Sequence, residues 1–92
     1  MNKQELVRAV AESVEGGTRK TAEKYLNAIL EVISDELAGG GDVILVGFGT
    51  FATKRREERS GRNPRTGEAI VIPAATVPVF TPGKKLKDAV AD

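Results

Sequence analysis

Fifteen consecutive residues, Lys54 to Glu68, carry almost nothing that a hydrophobic core could use, yet strand-like runs stand on both sides of them. Thr50-Phe51-Ala52-Thr53 leads in and Ile70-Val71-Ile72 leads out, both rich in the β-branched and aromatic residues that suit a pleated surface. Midway, Gly61-Arg62-Asn63-Pro64-Arg65-Thr66-Gly67 gathers turn-forming residues. A polar stretch flanked by strands and tipped by a turn has no reason to fold inward. It predicts a long β-hairpin standing away from the body, over about residues 54–75, inside a single domain spanning 1–92. At about ten residues per side and roughly 3.3 Å per residue, such an arm reaches about 30 Å. It buries little apolar surface, so it should be mobile when nothing is bound.

The arm is also where the charge lies. The formal net charge is only +1, but it is unevenly spread. Residues 1–47 hold five basic and eight acidic side chains, whereas 48–92 hold nine and five. Lys54, Arg55, Arg56, Arg59, Arg62 and Arg65 lie in the arm, opposed only by Glu57, Glu58 and Glu68. Five of these six cations are arginine, whose planar fork suits phosphate and minor-groove contacts. A charged run can equally be a plain solvated face.

The rest of the chain reads as a small α+β domain. Asn2 and Glu5 have the spacing of a capping box, opening a helix over Lys3–Val14 with Leu6, Val10 and Val14 on one stripe. Gly16 and Gly17 end it, and Thr18 caps a second helix that runs to about Leu37 with Ala22, Leu26, Ile29 and Ile33 on its apolar side. The two form a helical hairpin. Val43–Val46 and Thr50–Arg56 are strands separated by Gly47-Phe48-Gly49. Ile70–Ile72 is a further strand, continued by Val77 and Val79-Phe80, with Pro73 and Pro78 restricting it to an edge or a bulge. Thr81 is placed to cap a final helix with Pro82 in its first position, running to Val90.

Several chemistries are excluded or disfavoured. The chain has no cysteine and no histidine, so it has no disulfide, no thiolate, no imidazole base and no Cys or His metal ligand. No catalytic residue, metal or cofactor is expected, and no enzymatic activity. Glu5, Arg8 and Glu12 break the first apolar stretch, and Pro73, Pro78 and Pro82 break the longest uncharged run, so neither a signal peptide nor a membrane span is expected. Gly47-Phe48-Gly49 with Ala52 mimics a dinucleotide fingerprint, but a helix should follow it and a basic strand does instead. A tight bend accounts better for the two glycines.

Two local features admit two readings each. Asn63-Pro64 can simply start a turn, or Pro64 can be an apolar wedge on a basic arm, of the kind that unstacks base steps from the minor groove. Lys84, Lys85 and Lys87 at the last helix, and Lys3 at the first, can be ordinary surface residues or can meet anions.

Taken in order, Met1-Asn2-Lys3, Val46-Gly47-Phe48-Gly49-Thr50-Phe51, the Gly61–Gly67 tip, Ile72-Pro73-Ala74, Val77-Pro78, Phe80 and Pro82-Gly83-Lys84-Lys85-Leu86-Lys87 resemble the bacterial histone-like DNA-binding protein HU and the related integration host factor subunits. The resemblance covers essentially the whole chain. It implies an intertwined homodimer with a helical base, a saddle of antiparallel strands and two protruding arms. It implies a nucleoid-associated, cytoplasmic protein that bends and compacts double-stranded DNA with little sequence preference, favouring bent, nicked or junction forms. A sequence-specific subunit of the integration host factor type is the alternative. No membrane and no small-molecule substrate are implied.

By position, Pro64 would intercalate, flanked by Arg62, Asn63 and Arg65. Lys54, Arg55, Arg56 and Arg59 would follow the groove, and Lys3, Lys84 and Lys87 would grip phosphates. Phe48, Phe51 and Phe80 would belong to the dimer core. Glu57 and Glu58 depart from the pattern by placing two acids in the arm, where they could pair with Arg55, Arg56 or Arg59 or weaken binding.

Overall fold

The computed structural model describes all residues, Met1 to Asp92. The chain divides into two compact units, Met1–Asp35 and Glu36–Asp92. The first is helical. Helix α1 spans Lys3–Ser13 and helix α2 spans Arg19–Ala38, the last turn of α2 passing into the second unit. The capping box forms as the spacing predicts. Glu5 N–H donates to Asn2 Oδ1 at 2.9 Å, and Asn2 N–H donates to Glu5 Oε1 at 3.2 Å. Thr21 N–H donates to Thr18 Oγ1 at 3.2 Å and so caps α2. The hairpin closes over a very small core of Val7, Ala11 and Ala22, with Leu26 packed against it. Much of the apolar stripe read from the sequence stays in solvent: Leu6, Val10, Val14 and Ile29 are exposed, and so are Tyr25, Leu30 and Val32 beside it.

The second unit is built on strands β1 (Val43–Leu45), β2 (Gly49–Arg56), β3 (Arg59–Arg62), β4 (Ala69–Ile72) and β5 (Ala75–Pro82), followed by helix α3 (Lys84–Val90). β1, β2 and β5 form one antiparallel sheet in that order, and β3 and β4 form a second, two-stranded one. No hydrophobic residue of this unit is fully buried. Its aromatic residues gather nonetheless: Phe51 and Phe80 are directly opposed across β2 and β5 with ring centroids 4.8 Å apart, and Phe48 lies 5.7 Å from Phe80.

The bend between β1 and β2 explains both glycines. Phe48 N–H donates to Leu45 O at 2.9 Å, closing the turn. Gly47, its third residue, has φ +86°, a conformation that side chains other than hydrogen resist. Gly49 is needed for space instead. A Cβ there would stand 2.5 Å from Phe80 Cζ and 2.8 Å from Thr81 O.

Two expectations are corrected. Ile70–Ile72 and Val77–Phe80 are not one continued strand. β4 ends at Ile72, and β5 starts at Ala75 after Pro73-Ala74. Pro78 does sit on an edge strand, because β5 flanks the sheet. The last helix is not capped by Thr81, and Pro82 is not its first residue. Thr81 pairs with Thr50 and Pro82 with Gly49, so both end β5, and Gly83 is the N-cap. The ladder held these two residues against their local helix-starting preference, and Gly83 N–H is fixed to Phe48 O at 2.8 Å.

Replacing Gly49 with Ala should therefore push the Phe80 ring out of place. Chemical denaturation should show a loss of about 1–3 kcal/mol, the usual cost of overpacking.

Candidate nucleic-acid interface

The arm is a direct extension of the sheet. β2 and β5 pair residue by residue from Gly49↔Pro82 to Arg56↔Ala75. β3 and β4 pair from Arg59↔Ile72 to Arg62↔Ala69. Two residues intervene on each side, so the register is kept and no bulge turns the ribbon. Side chains alternate between the faces of such a ribbon, and directly opposed residues share a face. Lys54 and Arg56 thus share one face with Val77 and Ala75, and Arg62 falls on it by the same alternation. Arg55 and Arg59 fall on the other with Thr76 and Ile72.

Side chains from both faces, Lys54, Arg55, Arg56, Arg59 and the acidic Glu57, border a shallow groove whose apolar side is Ile72, Pro73, Ala75 and Val77. All four cations are exposed. The one ion pair in the chain joins Arg8 and Glu12 on α1, at 3.1 Å. No arm cation is ion-paired with a carboxylate, and the pairing considered for Glu57 and Glu58 does not form.

The tip is tightly organised although it is solvated. Asn63 N–H donates to Glu68 O at 2.9 Å, and Gly67 N–H donates to Asn63 O at 2.7 Å. Asn63 Oδ1 accepts from Arg65 N–H at 2.8 Å, an Asx-turn across Pro64. Thr66 Oγ1 accepts from Glu68 N–H at 3.3 Å. Arg62 Nη1 donates to Gly67 O at 3.1 Å, so this guanidinium braces the turn while its remaining donors stay free. Pro64 is exposed at the corner, between the residues that hold the turn together.

The arm thus brings together Lys54, Arg55, Arg56, Arg59, Arg62, Asn63, Pro64 and Arg65. Lys84 and Lys87 lie apart from it on α3, both exposed, and Lys3 lies on α1 in the other unit. Phe48, Phe51 and Phe80 come together, and Phe48 and Phe80 remain 48% and 40% exposed in the single chain. The sequence reading passed over the tip's internal supports, Thr66 and the Arg62 side chain. The Thr-Gly-Glu order after Pro64 was a signal for the first, since threonine readily bonds a backbone N–H two residues on.

Residues 1–91 match the family model described as bacterial DNA-binding protein. The chain is 52% identical to DNA-binding protein HU 1 of Bacillus subtilis, over 99% of this chain and 98% of the relative. It is 55% identical to DNA-binding protein HU of Lactococcus lactis, over 97% of each. Among solved structures, an HU–DNA cocrystal from Anabaena superposes with a TM-score of 0.91 at 48% identity, covering 99% of this chain and 98% of that one. HU from Thermotoga maritima superposes with a TM-score of 0.69 at 34% identity, covering 99% and 100%. With the arm, its braced tip and the glycine bend all inside a match that runs nearly end to end, the chain belongs to the bacterial DNA-binding protein family that includes HU.

Proposed function

We propose that the protein is an architectural DNA-binding homodimer, each chain acting as one domain, that bends duplex DNA with little regard to sequence. The observation that carries this reading is the cationic ribbon, free of ion pairs, ending in an exposed proline on a hydrogen-bonded tip. The likeness to a structure solved with DNA supports it.

The two grips do different work. Lys54, Arg55, Arg56 and Arg59 along the ribbon, with Lys3, Lys84 and Lys87 outside it, meet phosphates and release condensed counterions, which supplies most of the affinity. Pro64 enters between base steps from the minor groove. It brings an apolar ring and no N–H, so nothing polar is stranded when it is buried in the stack. Arg62, Asn63 and Arg65 hold it there. The minor groove distinguishes little beyond A·T from G·C, so selection acts through deformability: a nick, a junction or a flexible step lowers the cost of the kink.

Dimerisation follows from what one chain leaves uncovered. Val46 is 98% exposed, and Ile44, Phe48, Phe80, Ile29 and Val32 are exposed as well. A second copy covers these residues, with Phe48, Phe51 and Phe80 in the shared core.

A gel shift at two salt concentrations should show nicked and four-way-junction DNA bound more tightly than linear duplex, and all three weakening as salt rises. Failure to bind any of them at low salt would sink the proposal. Pro64→Ala should reduce the bend, read as end-to-end energy transfer on a short duplex, more than it reduces affinity. An unchanged bend rejects the wedge. Asn63→Ala removes the acceptor for Arg65 N–H. That should cost the tip on the order of 1 kcal/mol of local order, read as faster exchange of the Arg65 amide.

A further inference from the structure

The ribbon carries an interruption that the proposed function does not use. Its two hydrogen-bonded segments, β2–β5 and β3–β4, are separated by Glu57-Glu58 on one side and Pro73-Ala74 on the other. The register passes through this point unchanged, so the interruption is a loss of pairing rather than a slip. Pro73 has no N–H to give to a ladder, and the gap cannot be fully zipped. Both acids that depart from the arm's basic character stand in this gap. They are exposed, and neither makes an ion pair with Lys54, Arg55, Arg56 or Arg59.

Alternation places the two carboxylates on opposite faces. Glu57 falls in line with Arg55 and Arg59, and Glu58 with Arg56 and Ser60. Whichever face meets a nucleic acid backbone, one acid lies between or beside the cations on it. A phosphate held by Arg56 or Arg59 is then about 7 Å along the ribbon from a carboxylate. That is shorter than the Debye length of about 10 Å at 0.1 M salt, so solvent ions do not screen the repulsion away.

We propose that the arm is a jointed clamp with two cationic grips, and that Glu57 and Glu58 hold its joint off the phosphate backbone. Lys54 to Arg56 form the lower grip, on the main sheet. Arg59 to Arg65 form the upper grip, on a tip segment that has its own pairing. The acids keep the ribbon from closing on DNA along its whole length and so set how tightly it holds. The inference rests on the reading that the arm binds DNA, and it assigns these two residues the role of limiting that binding.

The test compares E57Q/E58Q with E15Q/E31Q, which removes the same charge from exposed positions of the helical unit, and with Arg62→Ala. Thermal melts confirm that each variant is folded. On a duplex of about 30 base pairs at about 50 mM salt, E57Q/E58Q should bind roughly tenfold tighter than the unaltered protein, with the gain shrinking to about twofold at 300 mM. E15Q/E31Q should gain less than about twofold at either salt, since neither residue stands on the ribbon beside the arm's cations. Equal gains from the two double variants, or no gain from E57Q/E58Q, would overturn the joint's role. If Arg62→Ala binds as well as the unaltered protein, the reading that the arm holds DNA fails instead, and the two failures are told apart.

Discussion

One pairing register runs from Gly49↔Pro82 to Arg62↔Ala69, and the functional reading depends on it. An isolated two-stranded hairpin is marginal in water. Here the ribbon does not have to nucleate alone, because its base is already a strand pair of the main sheet, ordered by the Phe51–Phe80 contact. The same register decides which cations share a face and delivers Asn63 and Glu68 to the tip in position to bond. A slip of one residue would exchange the faces and separate the partners that brace Pro64. Gly49, at the foot of the ribbon, is where this order starts, since the close approach of Phe80 needs a residue without a side chain.

Affinity and shape selection fall to different parts of this arrangement. On the proposed function each arginine and lysine of the arm adds a similar electrostatic increment to affinity. The proposed wedge asks more of the tip, because a wedge works only if it is stiff. Asn63, Thr66 and one donor of Arg62 bond within the turn, so Pro64 stands on a structure that the chain forms by itself.

The fold was legible where local chemistry and tertiary context agree. The capping box at Asn2 and Glu5, the bend at Gly47 and the turn around Asn63-Pro64 are each short-range patterns with one good solution, and each forms. The start of α3 was misread because Thr81-Pro82-Gly83 is a good helix opening by itself. What overruled it is a long-range pairing with Thr50 and Gly49 that no local pattern records. The break between β4 and β5 was blurred for a related reason. Pro73 and Pro78 look alike in sequence, but Pro78 lies on the outer strand opposite Thr53, whereas Pro73 falls in the gap between sheets. The candidate site was legible as a cluster of cations and a proline. Its internal bracing was not, because the turn's hydrogen bonds depend on the side-chain geometry that the fold supplies.

The apolar periodicity carried more information than the single chain expresses. Leu6, Val10, Val14 and Ile29 follow the spacing of a buried helix face, yet they remain in solvent, and only Val7, Ala11 and Ala22 are buried. A sequence that sets out a full stripe and buries a fraction of it implies a second surface that completes the burial. Charge points to the same division. The acidic excess lies in residues 1–47 and the basic excess in 48–92. For the proposed grip on DNA, cations concentrated on the ribbon make the contact, and acids elsewhere keep the net charge low. Glu57 and Glu58 break that segregation. They are placed at the one point of the ribbon that pairing has left open, where a carboxylate interrupts no ladder hydrogen bond and, on the proposal above, acts on what the arm holds.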